Sequence, residues 1–164
     1  MPDSNDLLIF VVEDNRVYNK LITSYLKTNK FSNVMSFYSG EDTINNLYRN
    51  PDIIIQDFLL DGMNGIEVLK KAKEQNPNIE FIFLSGQDNI DVAINTMKYG
   101  AYDYIVKDQM ALKKMVNKIN KIQSVNKLVK SNKRYRSGVV IFFIAIIVIL
   151  ILVLAFVFLI PSNS

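Results

Sequence analysis
The chain of 164 residues contains no cysteine and no histidine. Without cysteine there is neither a disulfide framework nor a thiolate metal site. Without histidine the commonest general base and the usual zinc ligand are gone. Any chemistry must rest on carboxylates, hydroxyls and lysine. Acidic residues are scarce in one part only: residues 1–106 carry 9 Lys+Arg against 15 Asp+Glu, residues 107–164 carry 10 against 1. A net −6 thus meets a net +9, and the overall +3 hides the division. Such asymmetry points to a polyanionic partner for the basic part alone. No basic stretch precedes the first apolar run, which is therefore not read as a secretory signal. Neither an internal repeat nor a low-complexity segment is visible, and the wealth of Asn, Ile and Lys hints at an AT-rich microbial genome.

What is present centres on Ile53-Ile54-Ile55-Gln56-Asp57 and the glycine-containing turn that follows it. Three consecutive isoleucines read as a strand buried on both faces, as the middle of a parallel sheet requires. Asp57 stands at its carboxyl end, where open α/β sheets place ligands. Before it, Leu7–Val12 reads as a buried strand ending in Glu13-Asp14-Asn15. A helix with Tyr18, Ile22, Tyr25 and Leu26 inward follows, then a weaker edge strand over Asn33–Tyr38. Ser39-Gly40-Glu41-Asp42 resembles a capping box opening a helix with Ile44, Leu47 and Tyr48 inward. After Asp57, a helix over 65–75 carries Ile66, Leu69 and Ala72. A strand Phe81–Leu84 ends in Ser85, Asp88 caps a helix with Ile90, Ala93, Ile94 and Met97 inward, and a short strand Tyr102–Val106 ends in Lys107. Strand and helix alternate five times, the pattern of a doubly wound five-stranded parallel sheet of flavodoxin-like order 2-1-3-4-5.

A long basic helix is expected from Gln109 to Tyr135, with Leu112, Met115, Val116, Ile119, Ile122 and Val129 at helical spacing. Its first half suits packing on the sheet; Leu112, Met115, Ile119, Ile122, Asn126 and Val129 also fit a seam that could pair two copies. Beyond a joint at Ser137-Gly138, Val139–Ile160 is 22 residues without charge, glycine or proline. At about 1.5 Å per residue it would be about 33 Å long, against about 30 Å of bilayer hydrocarbon, so a transmembrane helix is expected. The expected organisation is a domain over 1–125, a basic juxtamembrane segment over 126–138, the span 139–160 and a short external tail 161–164.

At the switch point between strands one and three, Glu13, Asp14 and Asp57 converge, and their mutual repulsion calls for a cation. All-oxygen ligation with room for water suits Mg2+. Ser85 and Lys107 reach the same rim, a hydroxyl donor and a point charge suited to a phosphoryl oxygen. A carboxylate nucleophile, a divalent ion, a hydroxyl and a lysine are what phosphorylation of an aspartate needs.

On these residues, 7 to about 125 resemble the receiver domain of two-component response regulators. The acidic pair matches Glu13-Asp14, the phosphoacceptor Asp57, the glycine eight residues on Gly65, the switch hydroxyl Ser85, the switch aromatic Tyr104 and the lysine Lys107. The resemblance implies phosphorylation of Asp57 by a histidine kinase or histidine phosphotransfer protein, and a Mg2+ contact from the backbone carbonyl of Leu59. It also implies an inward movement of Ser85 and Tyr104 that passes the signal to a downstream protein. No enzyme activity on other substrates is implied. Three departures stand out: Asp108 replaces the family's proline after the lysine, Asp61 replaces the proline four after the phosphoacceptor, and Leu59 and Gln87 flank the place of an attacking water. Neither is a strong base, so slow loss of the phosphoryl group is expected.

A flavin-nucleotide binder of the same topology would need phosphate donors where Glu13-Asp14 stand. The stretch from Lys107 to the apolar run leaves no room for a helix-turn-helix reader, and no specific nucleic acid is expected. Anionic lipid is the expected counter-ion of the basic residues 113–136. Lys127, Lys130, Lys133, Arg134 and Arg136 precede the apolar run, which sets the receiver part on the cytoplasmic side of a single-pass membrane protein. Output would be protein–protein contact at the membrane. The alternative is a receiver-shaped membrane scaffold whose phosphorylation has lost its use.

Overall fold
A computed structural model describes residues 7–159; for 130–141, 150 and 153–159 it describes the helical backbone alone. The order is β1 (Ile9–Val12), α1 (Arg16–Thr28), β2 (Val34–Phe37), α2 (Gly40–Asn45), a 3-10 turn (Leu47–Arg49), β3 (Ile53–Gln56), α3 (Gly65–Gln75), β4 (Glu80–Ser85), α4 (Ile90–Lys98), β5 (Asp103–Val106) and α5 (Ala111–Leu159). All strand pairs are parallel, in the expected order β2-β1-β3-β4-β5. The chain divides into two compact units, 1–122 and 123–164.

The isoleucine run is buried on both faces because successive side chains point opposite ways. Ile53 and Ile55 join Ile9, Val11, Ile82 and Leu84 in a layer closed by Ile22 and Leu26 of α1 and by Met115, Ile119 and Ile122 of α5. Ile54 joins Phe10, Val12, Phe81 and Phe83 in the opposite layer, closed by Val68, Leu69 and Ala72 of α3. The first part of α5 thus packs on the sheet, whereas Val129 of the conjectured dimer seam is exposed.

Several expectations need correction. Asn89, not Asp88, caps α4, its side chain accepting from the N–H groups of Asp91 and Val92. The apolar stripe of α4 faces out: Ile90 is 76% exposed, Ile94 50% and Met97 47%, while Thr96 is the buried residue. Tyr48 also stands in solvent, because the helix after Ser39 ends at Asn45 and the 3-10 turn buries Leu47 instead. The joint foreseen at Ser137-Gly138 is helical backbone within α5. Among the described residues no helix is long and apolar enough to cross a membrane. The transmembrane helix expected over 139–160 is not borne out there: its uninterrupted described side chains are only 142–149, too short a run to span, and the side chains of 139–141, 150 and 153–160 lie outside the described residues. Residues 1–6 and the tail 161–164 lie outside them as well.

Candidate functional site
Strand pairing carries on one residue past the strand ends and fixes the rim of the sheet. The Glu13 N–H donates to the Phe37 carbonyl at 3.1 Å, that of Asp57 to Val12 at 2.8 Å, and that of Lys107 to Ser85 at 2.7 Å. Side chains 13, 57 and 107 are thereby delivered to one place from three strands. The Lys107 Nζ bridges Glu13 Oε2 at 2.7 Å and Asp57 Oδ2 at 2.6 Å. Glu13 is 1% exposed and Asp57 8%, so both carboxylates have traded water for that ammonium. Burial pushes the Glu13 carboxyl above its ordinary 4.5; the bond to Lys107 opposes this and the charge of Asp57 adds to it. Burial alone would lower Lys107, but its bonds to Asp57 and Glu13 prevail and raise it above 10.5.

Glu13, Asp14 and Asp57 each offer an oxygen, and these oxygens all lie within 4.8 Å of one another. Three carboxylates against one lysine leave two negative charges, which a divalent cation would cancel. The donors are hard oxygens at a partly open rim, with Asp14 half-buried, and this set fits Mg2+. The fourth expected contact, the Leu59 carbonyl, belongs to the loop that Asp57 steadies: Asp57 Oδ1 accepts from the Leu59 N–H at 3.3 Å.

Ser85 is wholly buried at the end of β4, its Oγ accepting from the Gln87 N–H at 3.1 Å. The Tyr104 hydroxyl, from β5, donates to the Gln87 carbonyl at 2.8 Å. The two expected switch residues are therefore linked through Gln87. The Lys107–Asp108 peptide is trans. Asp108 instead sits in the turn before α5, accepting from the Met110 N–H at 2.8 Å and from the Lys114 ammonium at 2.6 Å. Gly65 is needed for closeness: a Cβ there would stand 2.7 Å from the Phe83 ring and 3.2 Å from the Asp57 carbonyl.

Sequence reasoning missed four supporting residues. Asn19, buried in α1, donates to the carbonyls of Glu13 and Phe37 and ties that helix to the rim. Asn15 caps α1 while its own N–H donates to Glu13 Oε1 at 3.3 Å. Glu41 accepts from the Met63 N–H at 3.0 Å, holding the loop in which Asp61 replaces a proline. Gln56, immediately before Asp57, is fully buried, and its side-chain amide has no partner among the described residues. The N-cap preference of asparagine was a readable signal for Asn15; the others carry none in a single sequence.

The response regulator receiver domain family matches residues 9–120. The chain is 33% identical over 119 residues to the regulatory protein LuxO of Vibrio cholerae, covering 72% of this chain and 26% of that one. It is 35% identical over 100 residues to the transcriptional regulatory protein CssR of Bacillus subtilis, covering 60% and 44%. The crystal structure of a response regulator receiver domain protein from Clostridium thermocellum superposes with a TM-score of 0.67 at 25% identity, over 74% of this chain and 97% of that one. The chain thus spans about a quarter of the length of the Vibrio regulator, and what is common to the two is one domain. With its acidic rim, its bridging lysine and this match over most of its length, the chain belongs to the response regulator receiver domains of two-component systems.

Proposed function
We propose that Asp57 accepts a phosphoryl group from a histidine kinase or histidine phosphotransfer protein. The observation that carries this is the Lys107 ammonium lying between Asp57 and Glu13 at 2.6 and 2.7 Å, on an acidic rim that a divalent ion would complete. An Asp57 oxygen attacks phosphorus, the bond from phosphorus to the donor's imidazole nitrogen breaks, and an acyl phosphate forms. Glu13, Asp14, Asp57 and the Leu59 carbonyl would hold Mg2+, which when bound supplies positive charge against the phosphoryl oxygens. Lys107 is placed to turn from the carboxylates to one of those oxygens, and the Ser85 hydroxyl to donate to another. The chain acts on itself and on no separate substrate. Leu59 and Gln87 at the rim offer no strong base to an attacking water, so the phosphoryl group is lost slowly; a lifetime of seconds overturns this.

Membrane attachment is proposed on the sequence alone, from the uncharged run 139–160 behind a basic stretch. Output is then contact with a downstream protein at the cytoplasmic face of a membrane. The basic residues of 113–136 are assigned to anionic lipid, with Lys114 and Lys118 already paired with Asp108 and Asp103. The decisive test is acetyl phosphate with Mg2+ on the full-length protein, read by intact mass. One phosphoryl group should appear, and neither Asp57→Asn nor Mg2+ removal should allow it. An unmodified wild-type protein leaves the phosphorylation-independent scaffold as the better account.

A further inference from the structure
Tyr18 lies on α1, and burial raises its phenol above 10.0. Its ring has a second neighbour besides the core: the Lys107 Nζ stands 4.6 Å from the ring centroid. The same ammonium contacts Glu13 and Asp57. We infer that Tyr18 is a positioning residue for phosphoryl transfer, its ring face holding the Lys107 ammonium beside Asp57. The inference rests on the proposed phosphoacceptor role of Asp57.

Lysine carries a point charge on a flexible four-carbon stem and is not self-orienting. Two carboxylates fix it only until one of them reacts. Once Asp57 is attacking phosphorus, Lys107 must leave its present bond and meet a phosphoryl oxygen. An aromatic face attracts an ammonium without offering a strong acceptor that would compete for its protons. It therefore keeps the lysine at the rim while leaving it free to change partners. The helix turn that carries the ring is well anchored. Asn15 Oδ1 accepts from the Tyr18 N–H at 3.1 Å, and Asn15 is bonded through its own N–H to Glu13. The next residue, Asn19, ties α1 to the ends of β1 and β2. The ring also packs against the apolar layer shared by α1 and α5.

The test is the phosphorylation rate of the full-length protein with acetyl phosphate and saturating Mg2+, across Tyr18→Phe, Tyr18→Leu and a series of increasingly fluorinated phenylalanines in place of Tyr18. Fluorine leaves ring shape nearly intact and drains the negative face, which a merely structural role would not register. Tyr18→Phe should keep the maximal rate within about twofold, and Tyr18→Leu should lower it about three- to tenfold, the range of one partly exposed cation–π contact. The donor concentration for half-maximal rate should stay put, and the fluorinated series should slow stepwise. A flat fluorinated series, or a leucine variant as fast as the phenylalanine one, overturns the role of Tyr18. If Tyr18→Leu fails to fold, the fluorinated series alone decides. A wild-type protein that takes up no phosphoryl group overturns the phosphoacceptor role itself, and the role of Tyr18 with it.

Discussion
Lys107 answers two buried carboxylates with a side chain that is itself 19% exposed. Removing it strands both charges. Lys107→Met should therefore cost about 1–3 kcal/mol, the penalty for buried polar groups left without a partner. Asp57→Asn placed on top should recover part of that loss, because one of the stranded charges is gone. Urea midpoints of the four proteins in the double-mutant cycle measure the coupling, and additive effects would show that the bridge carries no energy. Glu13 makes the sign of a pH effect explicit. Its folded carboxyl titrates above 4.5, chiefly through burial, so the folded state holds a proton the unfolded chain has already lost. The stability this group contributes is complete below about 4.5 and is lost as pH rises through its folded value. Glu13→Gln should remove that decline, giving a flatter stability curve from pH 4.5 upward than wild type in urea titrations. Parallel curves for the two proteins would refute the assignment.

At the scale of elements, α4 and α5 show how one apolar pattern can mean two things. Both carry aliphatic residues at helical spacing; α5 buries Met115, Ile119 and Ile122, while α4 exposes Ile90, Ile94 and Met97. Ile94→Ser should change stability by no more than about 0.5 kcal/mol, whereas Ile119→Ala should cost about 2–5 kcal/mol. Equal losses in thermal denaturation would return α4 to the core. Gly65→Ala should cost about 1–3 kcal/mol through the forced contact of its Cβ with Phe83 and the Asp57 carbonyl. The same variant should slow the proposed phosphorylation, since the added Cβ presses on the Asp57 carbonyl. The strand order, the acidic rim and the place of Lys107 on it were legible, because buried parallel strands write continuous apolar runs and their last residues fall at one edge; that the lysine bridges Glu13 and Asp57 was not. The orientation of α4 was not, since periodicity marks an apolar face without saying what covers it. Asn19 and Glu41 were hidden for another reason: their side chains are held by partners distant in sequence. Tyr18 was placed inward correctly, but a helical period could not reveal that its ring also meets a lysine 89 positions away in the chain.

For the whole molecule the governing feature is the division of charge, −6 over 1–106 against +9 over 107–164, with an uncharged run behind it. Within 139–160, 20 residues are Val, Ile, Leu or Phe and the other two are Ala. At about 0.3–0.6 kcal/mol each near a bilayer centre, the 20 favour insertion by at most about 6–12 kcal/mol. A single central arginine opposes this by about 2.5–3.5 kcal/mol and should leave the protein in the membrane. Three of them, at Ile146, Ile149 and Leu152, oppose it by about 7.5–10.5 kcal/mol and also remove three favourable residues, enough to cancel insertion. The full-length protein should therefore stay in the membrane pellet through alkaline carbonate extraction, the single variant Ile149→Arg should follow it, and the triple variant should move to the supernatant. Protease added to intact spheroplasts should spare residues 1–122, since the basic residues before the run favour the cytoplasmic side. A wild-type protein released by carbonate as readily as the triple variant would remove the membrane from the account and leave the acidic rim, with its lysine, as a receiver working wherever its kinase is found.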